Sequence, residues 1–223
     1  MQTYTNIECK VQNNLLHIIF NSQGSSVNTL CSTTLNELDT ILSNLMVDIK
    51  TEGVVFESAK PNCFIAGADI NEIKTISDEG DAHAKASVGQ SIINKISKLK
   101  VPTYAIINGA CMGGGLELAL ACDVRIATTH EKTKLALPEV NLGFIPGFGG
   151  TQRLPRTVSL QNALDLTLTG KTVDSKKAKK IKLVHDICHP NQVYDVLASI
   201  HHKVSTTNGK WLQQQKYKAS FVE

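Results

Sequence analysis

The segment 108–117 contains the residue types needed to stabilise negative charge that develops on a ligand. Three consecutive glycines, 113–115, allow positive φ and a close approach of a ligand to the backbone. The apolar segment 102–107 predicts a buried strand before them, and 116–122 predicts a helix after them. Free N–H groups at the helix start would then point at one spot, with Glu117 in the first turn. The alternative is an ordinary strand-to-helix turn followed by a structural glutamate.

A second carboxyl and a second small-residue loop lie elsewhere in the chain. Glu139 follows Pro138 and precedes the glycine-rich segment 143–150. Because Glu117 and Glu139 are 22 residues apart, they meet only if the fold brings their segments together; otherwise Glu139 is a solvated side chain. Small residues at 66–69 would leave backbone N–H groups uncovered. Two carboxyls beside N–H donors from two loops would suit proton transfer next to a carbonyl.

Strands and helices alternate along the rest of the chain, which predicts an α/β protein. Apolar runs predict strands at 15–20, 53–56, 102–107, 123–127, 135–137 and 186–188. Apolar residues at steps of three and four predict helices around 35–45, 88–99, 160–168, 175–181 and 192–204. Thr34 with Glu37 predicts a capping box, and Asp174 a helix cap. We expect loops at 61–69 and 143–150 and a polar, mobile stretch at 70–82.

The length of the chain fits one large domain or two small ones, and the absence of a linker rich in Pro or Ser favours one domain. The chain has 223 residues, a formal net charge of +3, 42% hydrophobic residues and 19% charged residues. We expect one domain over 1–204 and a polar tail over 205–223. A net charge of this size gives no argument for nucleic-acid binding, and we expect the lysines around 176–182 to be a solvated helix face.

The compartment is predicted from what the chain lacks. No apolar run approaches the length of a membrane span, and residues 1–10 carry no signal-peptide pattern. The six cysteines show neither a C-x-x-C pair nor zinc spacing, and most of them are expected to be buried thiols because they fall in apolar runs. These features predict a cytoplasmic protein, or a mitochondrial matrix enzyme after removal of a transit peptide.

Several common catalytic motifs are absent from the sequence. Gly170-Lys171-Thr172 resembles the end of a P-loop, but Asp165 occupies the position where that motif needs glycine. The glycines at 147 and 149 lack the third glycine of a dinucleotide fingerprint, since residue 152 is Gln. Neither G-x-S-x-G nor H-E-x-x-H occurs, and we expect the histidines to be structural or solvated. The remaining candidates for catalytic groups are carboxylates and backbone N–H donors.

Three segments, 66–70, 108–117 and 137–155, resemble in order and spacing the enoyl-CoA hydratase (crotonase) family. The resemblance extends over about residues 10–190. The gap between Glu117 and Glu139 and the sequence at 116–123 resemble most closely the hydratase/isomerase part of multifunctional fatty-acid oxidation alpha subunits. The resemblance implies an α/β fold, a crotonase-like spiral of ββα repeats. Family members continue into C-terminal helices that build a trimer, and we expect those helices to be missing here.

The resemblance also implies roles for individual residues. The N–H groups of Ala66 and Gly114 would bind the thioester oxygen, Glu117 would deprotonate a water that attacks C3, and Glu139 would protonate C2. Acyl-CoA would be the substrate, and no metal or redox cofactor would be needed because hydrogen bonds alone would activate the thioester. The substrate and its CoA moiety would contact Ala66, Gly67, Ala68, Asp69, Ile70, Gly113, Pro138 and Gly147.

Hydration of trans-2-enoyl-CoA in fatty-acid β-oxidation is therefore the first functional hypothesis. The alternatives are Δ3-Δ2 enoyl-CoA isomerisation, which would depend chiefly on Glu139, and a non-catalytic crotonase-fold protein that binds or assembles. RNA binding is disfavoured by the modest charge. As partners, the resemblance implies a homo-oligomer or another chain, a thiolase subunit if the protein belongs to a fatty-acid oxidation complex.

Overall fold

The computed structural model describes residues 4–47 and 50–207 of the chain, which form two β-sheets and the helices around them. The strands are β1 (Ile7–Gln12), β2 (Leu15–Phe20), β3 (Gly53–Ser58), β4 (Cys63–Ile65), β5 (Thr103–Ile107), β6 (Ala110–Met112), β7 (Val124–Thr128), β8 (Lys134–Ala136), β9 (Val173–Asp174) and β10 (Asp186–Cys188). The α-helices are α1 (Ser32–Val47), α2 (Ile70–Lys74), α3 (Glu79–Ile96), α4 (Gly114–Ala121), α5 (Gly150–Thr157), α6 (Leu160–Thr169), α7 (Ser175–Lys180) and α8 (Val193–Thr206). Two 3₁₀ helices cover Pro138–Leu142 and Pro190–Gln192.

The larger sheet has the strand order β1-β2-β3-β5-β7-β10 and is parallel except for the hairpin of β1 and β2. Asn13 and Asn14 form the turn of that hairpin at φ 50° and 62°. Asparagine tolerates this left-handed region better than other side chains do, so the pair is a hairpin signal. Strand β1 was not predicted, although this signal was present in the sequence.

The smaller sheet, β4-β6-β8-β9, explains how the site segments come together. A strand of the larger sheet leads into a strand of the smaller sheet and then into a helix, as in β3-β4-α2, β5-β6-α4 and β7-β8 with the 3₁₀ helix at Pro138–Leu142. Strands β4, β6 and β8 pair in parallel, so the segments that follow them leave the sheet at the same edge. The predicted ββα repeats are confirmed.

Both faces of the larger sheet are buried, as expected for a mainly parallel sheet. Val54 and Phe56 of β3 face the main core, which α1, α3 and α4 complete. Val55 faces the other way and packs in a second cluster with Leu197 of α8. This alternation follows from the two-residue period of a strand.

The structure confirms most of the predicted elements, with ends shifted by a few residues. These are the strands predicted for the larger sheet, strand β8 of the smaller sheet, and the helices α1, α4, α6, α7 and α8. The predicted cap of α7 is also confirmed, because Asp174 accepts a hydrogen bond from Lys177 N at 2.7 Å. Lys176, Lys177, Lys179, Lys180 and Lys182 are exposed. All six cysteines are free, and Cys63, Cys111, Cys122 and Cys188 are buried.

The predicted capping box of α1 is wrong. The helix begins at Ser32, so Thr34 already lies inside it. The Glu37 carboxylate instead accepts hydrogen bonds from the N–H groups of Thr5 at 2.6 Å and Asn6 at 3.0 Å. Glu37 therefore ties the start of the chain to α1.

The segment 61–82 is more regular than predicted. It contains β4, α2 and the start of α3. The side chains of Asp69 and Asp78 cap α2 and α3 by accepting hydrogen bonds from Asn71 N and Asp81 N. Of the apolar stripe predicted along 88–99, Ile92 and Ile96 are buried in the core and Leu99 packs against it, whereas Val88 is 53% exposed.

Helix α5 was not predicted, because Pro155 within it is a helix-breaking signal. Helix α8 continues beyond its predicted end at 204, to Thr206. The rest of the predicted polar tail, 208–223, lies outside the described residues. In the described ranges, none of the helices has the length and hydropathy required to cross a membrane.

Candidate active site

The N-terminus of α4 is formed by the glycine run. Gly113 is the N-cap, at φ 50° and ψ −123°, and its N–H donates to Ala136 O at 3.0 Å. A Cβ on Gly115 would lie 2.4 Å from Ile65 O, so only glycine allows α4 to pack this closely on β4. Gly114 is the first residue of the helix, and its N–H has no acceptor among the described residues. This N–H is available to a ligand.

The loop after β4 supplies a second available N–H, but not the predicted one. The Ala66 N–H donates to Asn28 O at 2.8 Å, so Ala66 does not fit the role of a ligand donor. Within the described chain, the Ala68 N–H has no acceptor. Gly67 between them has φ 108°, and its Cα lies 3.9 Å from the position of a Cβ on Gly113. The loop and the start of α4 are therefore adjacent. The donor available to a ligand in this loop is the N–H of Ala68 and not, as predicted, that of Ala66.

Asn28 holds this loop in place and was missed by the sequence analysis. Its side chain is fully buried and donates to Phe20 O at 3.1 Å and Phe64 O at 3.0 Å. Its Oδ1 accepts from Ser22 N at 2.9 Å, while its backbone oxygen accepts from Ala66. An isolated asparagine in a polar loop carries no sequence signal for such a role.

Glu117 is buried, and the glycine-rich loop after Glu139 holds it. Its Oε1 accepts hydrogen bonds from Phe148 N at 2.8 Å and from Gly150 N at 2.7 Å. Burial raises the pKa of Glu117 to about 7, although these two N–H donors and the charge of Arg153 act in the opposite direction. The carboxyl therefore titrates near neutral pH.

Glu139 lies in the first turn of the 3₁₀ helix that follows β8. Its side chain is 6% exposed, its Oε1 lies 2.9 Å from the position of a Cβ on Gly113, and its Oε2 is buried without a hydrogen-bond partner in the described chain. Burial raises the pKa of Glu139, and its charge contributes to the raised pKa of Glu117. The structure thus brings the two carboxyls into one electrostatically coupled site.

The other residues predicted to contact substrate surround this site in different ways. Asp69 caps α2, and Ile70 is half exposed beside it. Pro138 begins the 3₁₀ helix that carries Glu139. The carbonyl of Gly147 accepts a hydrogen bond from Gln90 Nε2 at 2.8 Å, which ties the glycine-rich loop to α3.

The adjacent histidines 201 and 202 differ in their surroundings. His201 Nδ1 lies 2.8 Å from the Tyr104 hydroxyl, and His202 is exposed. Over residues 4–47 and 50–207, no group of three or more His, Cys, Asp or Glu side chains is arranged to hold a metal ion.

Glu117→Gln is expected to stabilise the fold at alkaline pH. A carboxyl whose pKa rises from 4.5 to about 7 on folding contributes stability below pH 4.5, and this is lost as pH rises through 7. The neutral amide avoids that loss while keeping an oxygen for both N–H donors. Urea unfolding at pH 8 should show a gain of roughly 2–3 kcal/mol that disappears towards pH 4.5.

The exposed Glu131→Gln variant controls for the loss of one negative charge and should show little pH-dependent difference. A stability difference for Glu117→Gln that is independent of pH would contradict the burial of an ionisable carboxylate as its cause.

Two proteins named as fatty acid oxidation subunits are similar to this chain in sequence. Fatty acid oxidation complex subunit alpha of Vibrio campbellii is 42% identical over 207 residues, covering 93% of this chain and 29% of that protein. The corresponding subunit of Idiomarina loihiensis is 48% identical over 173 residues, which cover 78% of this chain and 24% of that protein. The chain thus spans less than a third of the length of these relatives.

Solved structures of enoyl-CoA hydratases match the architecture. The Geobacillus kaustophilus protein gives a TM-score of 0.84 at 28% identity, over 91% of this chain and 75% of that one. The Bacillus anthracis enzyme gives a TM-score of 0.81 at 29% identity, over 98% of this chain and 92% of that one. The fold is the crotonase fold. The enoyl-CoA hydratase/isomerase family model matches residues 10–220, and the chain belongs to this family.

Proposed function

We propose that the chain catalyses the addition of water to trans-2-enoyl-CoA, giving 3-hydroxyacyl-CoA. The observation that carries this proposal is the pairing of two buried carboxyls, Glu117 and Glu139, with the N–H groups of Ala68 and Gly114, which have no acceptor in the described part of the chain. Acids from two segments and donors from two loops match the requirements of proton transfer around a polarised thioester.

The two N–H groups would bind the thioester oxygen. As negative charge moves onto that oxygen, both hydrogen bonds strengthen, and the positive end of the α4 dipole adds to them because Gly114 is the first residue of the helix. Removing one such donor in other enzymes costs about two to three orders of magnitude in rate. No metal or redox cofactor enters this proposal.

The proposed reaction conserves atoms and charge. Glu117 removes a proton from water as the water oxygen bonds to C3, and the C2=C3 electron pair moves towards the thioester to form an enolate. Glu139 donates its proton to C2, and the carbonyl is restored. The enzyme then holds a protonated Glu117 and an ionised Glu139, and exchange with solvent returns both to their starting states.

The different surroundings of the carboxyls support this division of roles. Glu117 Oε1 accepts two N–H bonds, and such bonds favour an ionised base. Glu139 Oε2 has no donor within the described chain, and a proton on that oxygen would ease its burial. If the two coupled carboxyls share one proton, Glu117 would be ionised and Glu139 protonated near neutral pH.

Loss of enoyl absorbance tests the proposal directly. Purified protein incubated with crotonyl-CoA or decenoyl-CoA should remove the absorbance of the conjugated thioester, with 3-hydroxyacyl-CoA as product. Assays over several chain lengths would define the preferred acyl group. Acyl-CoA binding without turnover would instead identify a non-catalytic member of the fold.

Δ3-Δ2 enoyl-CoA isomerisation is the second candidate. The unpartnered Oε2 of Glu139 favours it, because a single carboxyl can remove a proton from C2 and return it to C4. Incubation with a 3-enoyl-CoA should then increase conjugated enoyl absorbance. The same two N–H donors would stabilise the dienolate in this reaction.

We also propose that CoA lies along 66–70, where Ile70 is half exposed next to the Ala68 donor. Two relatives are named as subunits of a fatty acid oxidation complex. Their names support a role in β-oxidation as a homo-oligomer or with a partner chain, and we propose the cytoplasm as its compartment. Mass measurement by light scattering, alone and with a thiolase subunit, tests the assembly.

A further inference from the structure

Arg153 of α5 contacts the same turn that holds Glu117, from the other side. One of its guanidinium nitrogens, Nη1, donates to Phe148 O at 2.8 Å. The N–H groups of Phe148 and Gly150 point towards Glu117 Oε1 instead. The turn at 148–150 is therefore held between a cation on its carbonyl side and a carboxylate on its N–H side.

The contact between Arg153 and the turn depends on an uncommon backbone. Gly149 has φ 102°, and a Cβ there would lie 2.3 Å from Arg153 Nη1. The other guanidinium nitrogen, Nη2, donates to Asn94 Oδ1 on α3. Because α3 and α5 both pack against α4, this pair of contacts fixes the guanidinium relative to the helix that carries Glu117.

We propose that Arg153 is a positioning residue for Glu117. Its guanidinium fixes the turn whose N–H groups orient the Glu117 carboxylate, and its positive charge favours the ionised form of that carboxylate. This inference rests on the proposed role of Glu117 as a base. It assigns a task to an arginine that touches neither the carboxyl pair nor the two free N–H donors.

The charged groups around Glu117 identify Arg153 as the cation that acts on its carboxyl. Arg153 lowers the pKa of Glu117, whereas burial and the charge of Glu139 raise it. The strands β4 and β6, which also pack against α4, contribute the thiols Cys63 and Cys111, whose pKa burial raises, so they stay neutral. No ionisable group on α3 acts on Glu117 within the described chain. Arg153 is thus the cation that acts on this carboxyl.

The pH profile of hydration separates charge from structure. In Arg153→Gln the acid limb of kcat/KM, which reports ionisation of Glu117, should move to higher pH by about one unit, because a nearby cation is lost. Arg153→Lys keeps the charge but not the planar two-site contact, so its limb should stay within a few tenths of the wild-type position. Its kcat should still fall about tenfold from misorientation.

Arg156→Gln is the matched control, because Arg156 lies one turn further along α5. Among the described residues, its side chain donates hydrogen bonds to Gln152 of the same helix alone. Its pH profile and kcat should equal those of the wild type. An acid limb in Arg153→Gln that coincides with that of Arg156→Gln would overturn the inference, as would equal shifts in Arg153→Gln and Arg153→Lys.

A readout without turnover keeps this inference separate from the proposed function. Difference infrared spectra report the protonated carboxyl of Glu117, assigned by its loss in Glu117→Gln. The titration midpoint of that band should rise in Arg153→Gln and not in Arg156→Gln. If the wild type fails to hydrate enoyl-CoA, the proposed function fails, while this titration still decides the role of Arg153. An unchanged midpoint would overturn it.

Discussion

Glu117→Gln is expected to lower hydration by about three orders of magnitude and to leave part of any isomerisation. The amide keeps an oxygen for the N–H groups of Phe148 and Gly150, so the side chain should remain in place. It has no basic oxygen to take a proton from water, and loss of such a general base costs about 10²–10⁴-fold. Isomerisation moves a proton on the substrate without adding water, so it depends less on this residue.

Glu139→Gln completes the comparison, because this variant should abolish both reactions. Steady-state assays with a 2-enoyl-CoA and a 3-enoyl-CoA on the same preparations measure both activities. Glu131→Gln at an exposed turn is the control and should retain both. Hydration by Glu117→Gln at more than a tenth of the wild-type rate would remove this carboxyl from the proposed base role.

Gly89→Ala is expected to lower activity about a hundredfold, although Gly89 contacts neither carboxyl. Gly89 lies on the buried face of α3, and a Cβ there would be 2.2 Å from Cε1 of the Phe148 ring. Relief of this overlap must move Phe148, whose N–H orients Glu117. Displacement of a reacting group by about 1 Å can cost this much in rate. Overpacking should also destabilise the fold by about 1–3 kcal/mol.

Gly80→Ala provides a matched control on the same helix. Its Cβ would meet only the exposed Asp78 carboxylate, at 3.2 Å, and alanine favours a helix over glycine by about 1 kcal/mol. Kinetics and urea unfolding of both variants separate helix propensity from the packing of Phe148. Equal activities in Gly80→Ala and Gly89→Ala would show that the Phe148 ring does not transmit position to Glu117.

The glycine run and its carboxyl could be predicted because their signals are local. An apolar strand, consecutive glycines and an apolar helix follow one another in the sequence, and α4 begins within that run. The resemblance supplied the expectation that Glu117 and Glu139 face one substrate. The parallel pairing of β4, β6 and β8 is the structural reason that their segments meet.

The choice of backbone donors could not be predicted in the same way. Ala66 and Ala68 are both small residues in one loop, and either N–H could face a ligand. Asn28, nearly forty residues before them, accepts the hydrogen bond from Ala66, whereas the Ala68 N–H has no acceptor among the described residues. Helix α5 was missed for a related reason, since packing on α4 and α6 outweighs the local signal of Pro155.

The sequence alone thus determined the chemical groups, their order in the chain and the family to which they point. The tertiary structure decided which N–H groups remain free, which carboxyl receives hydrogen bonds, and that Arg153 faces the turn that holds Glu117. The physical reason is that residue type sets what a group can do, whereas its hydrogen bonds and its solvation depend on neighbours distant in the chain.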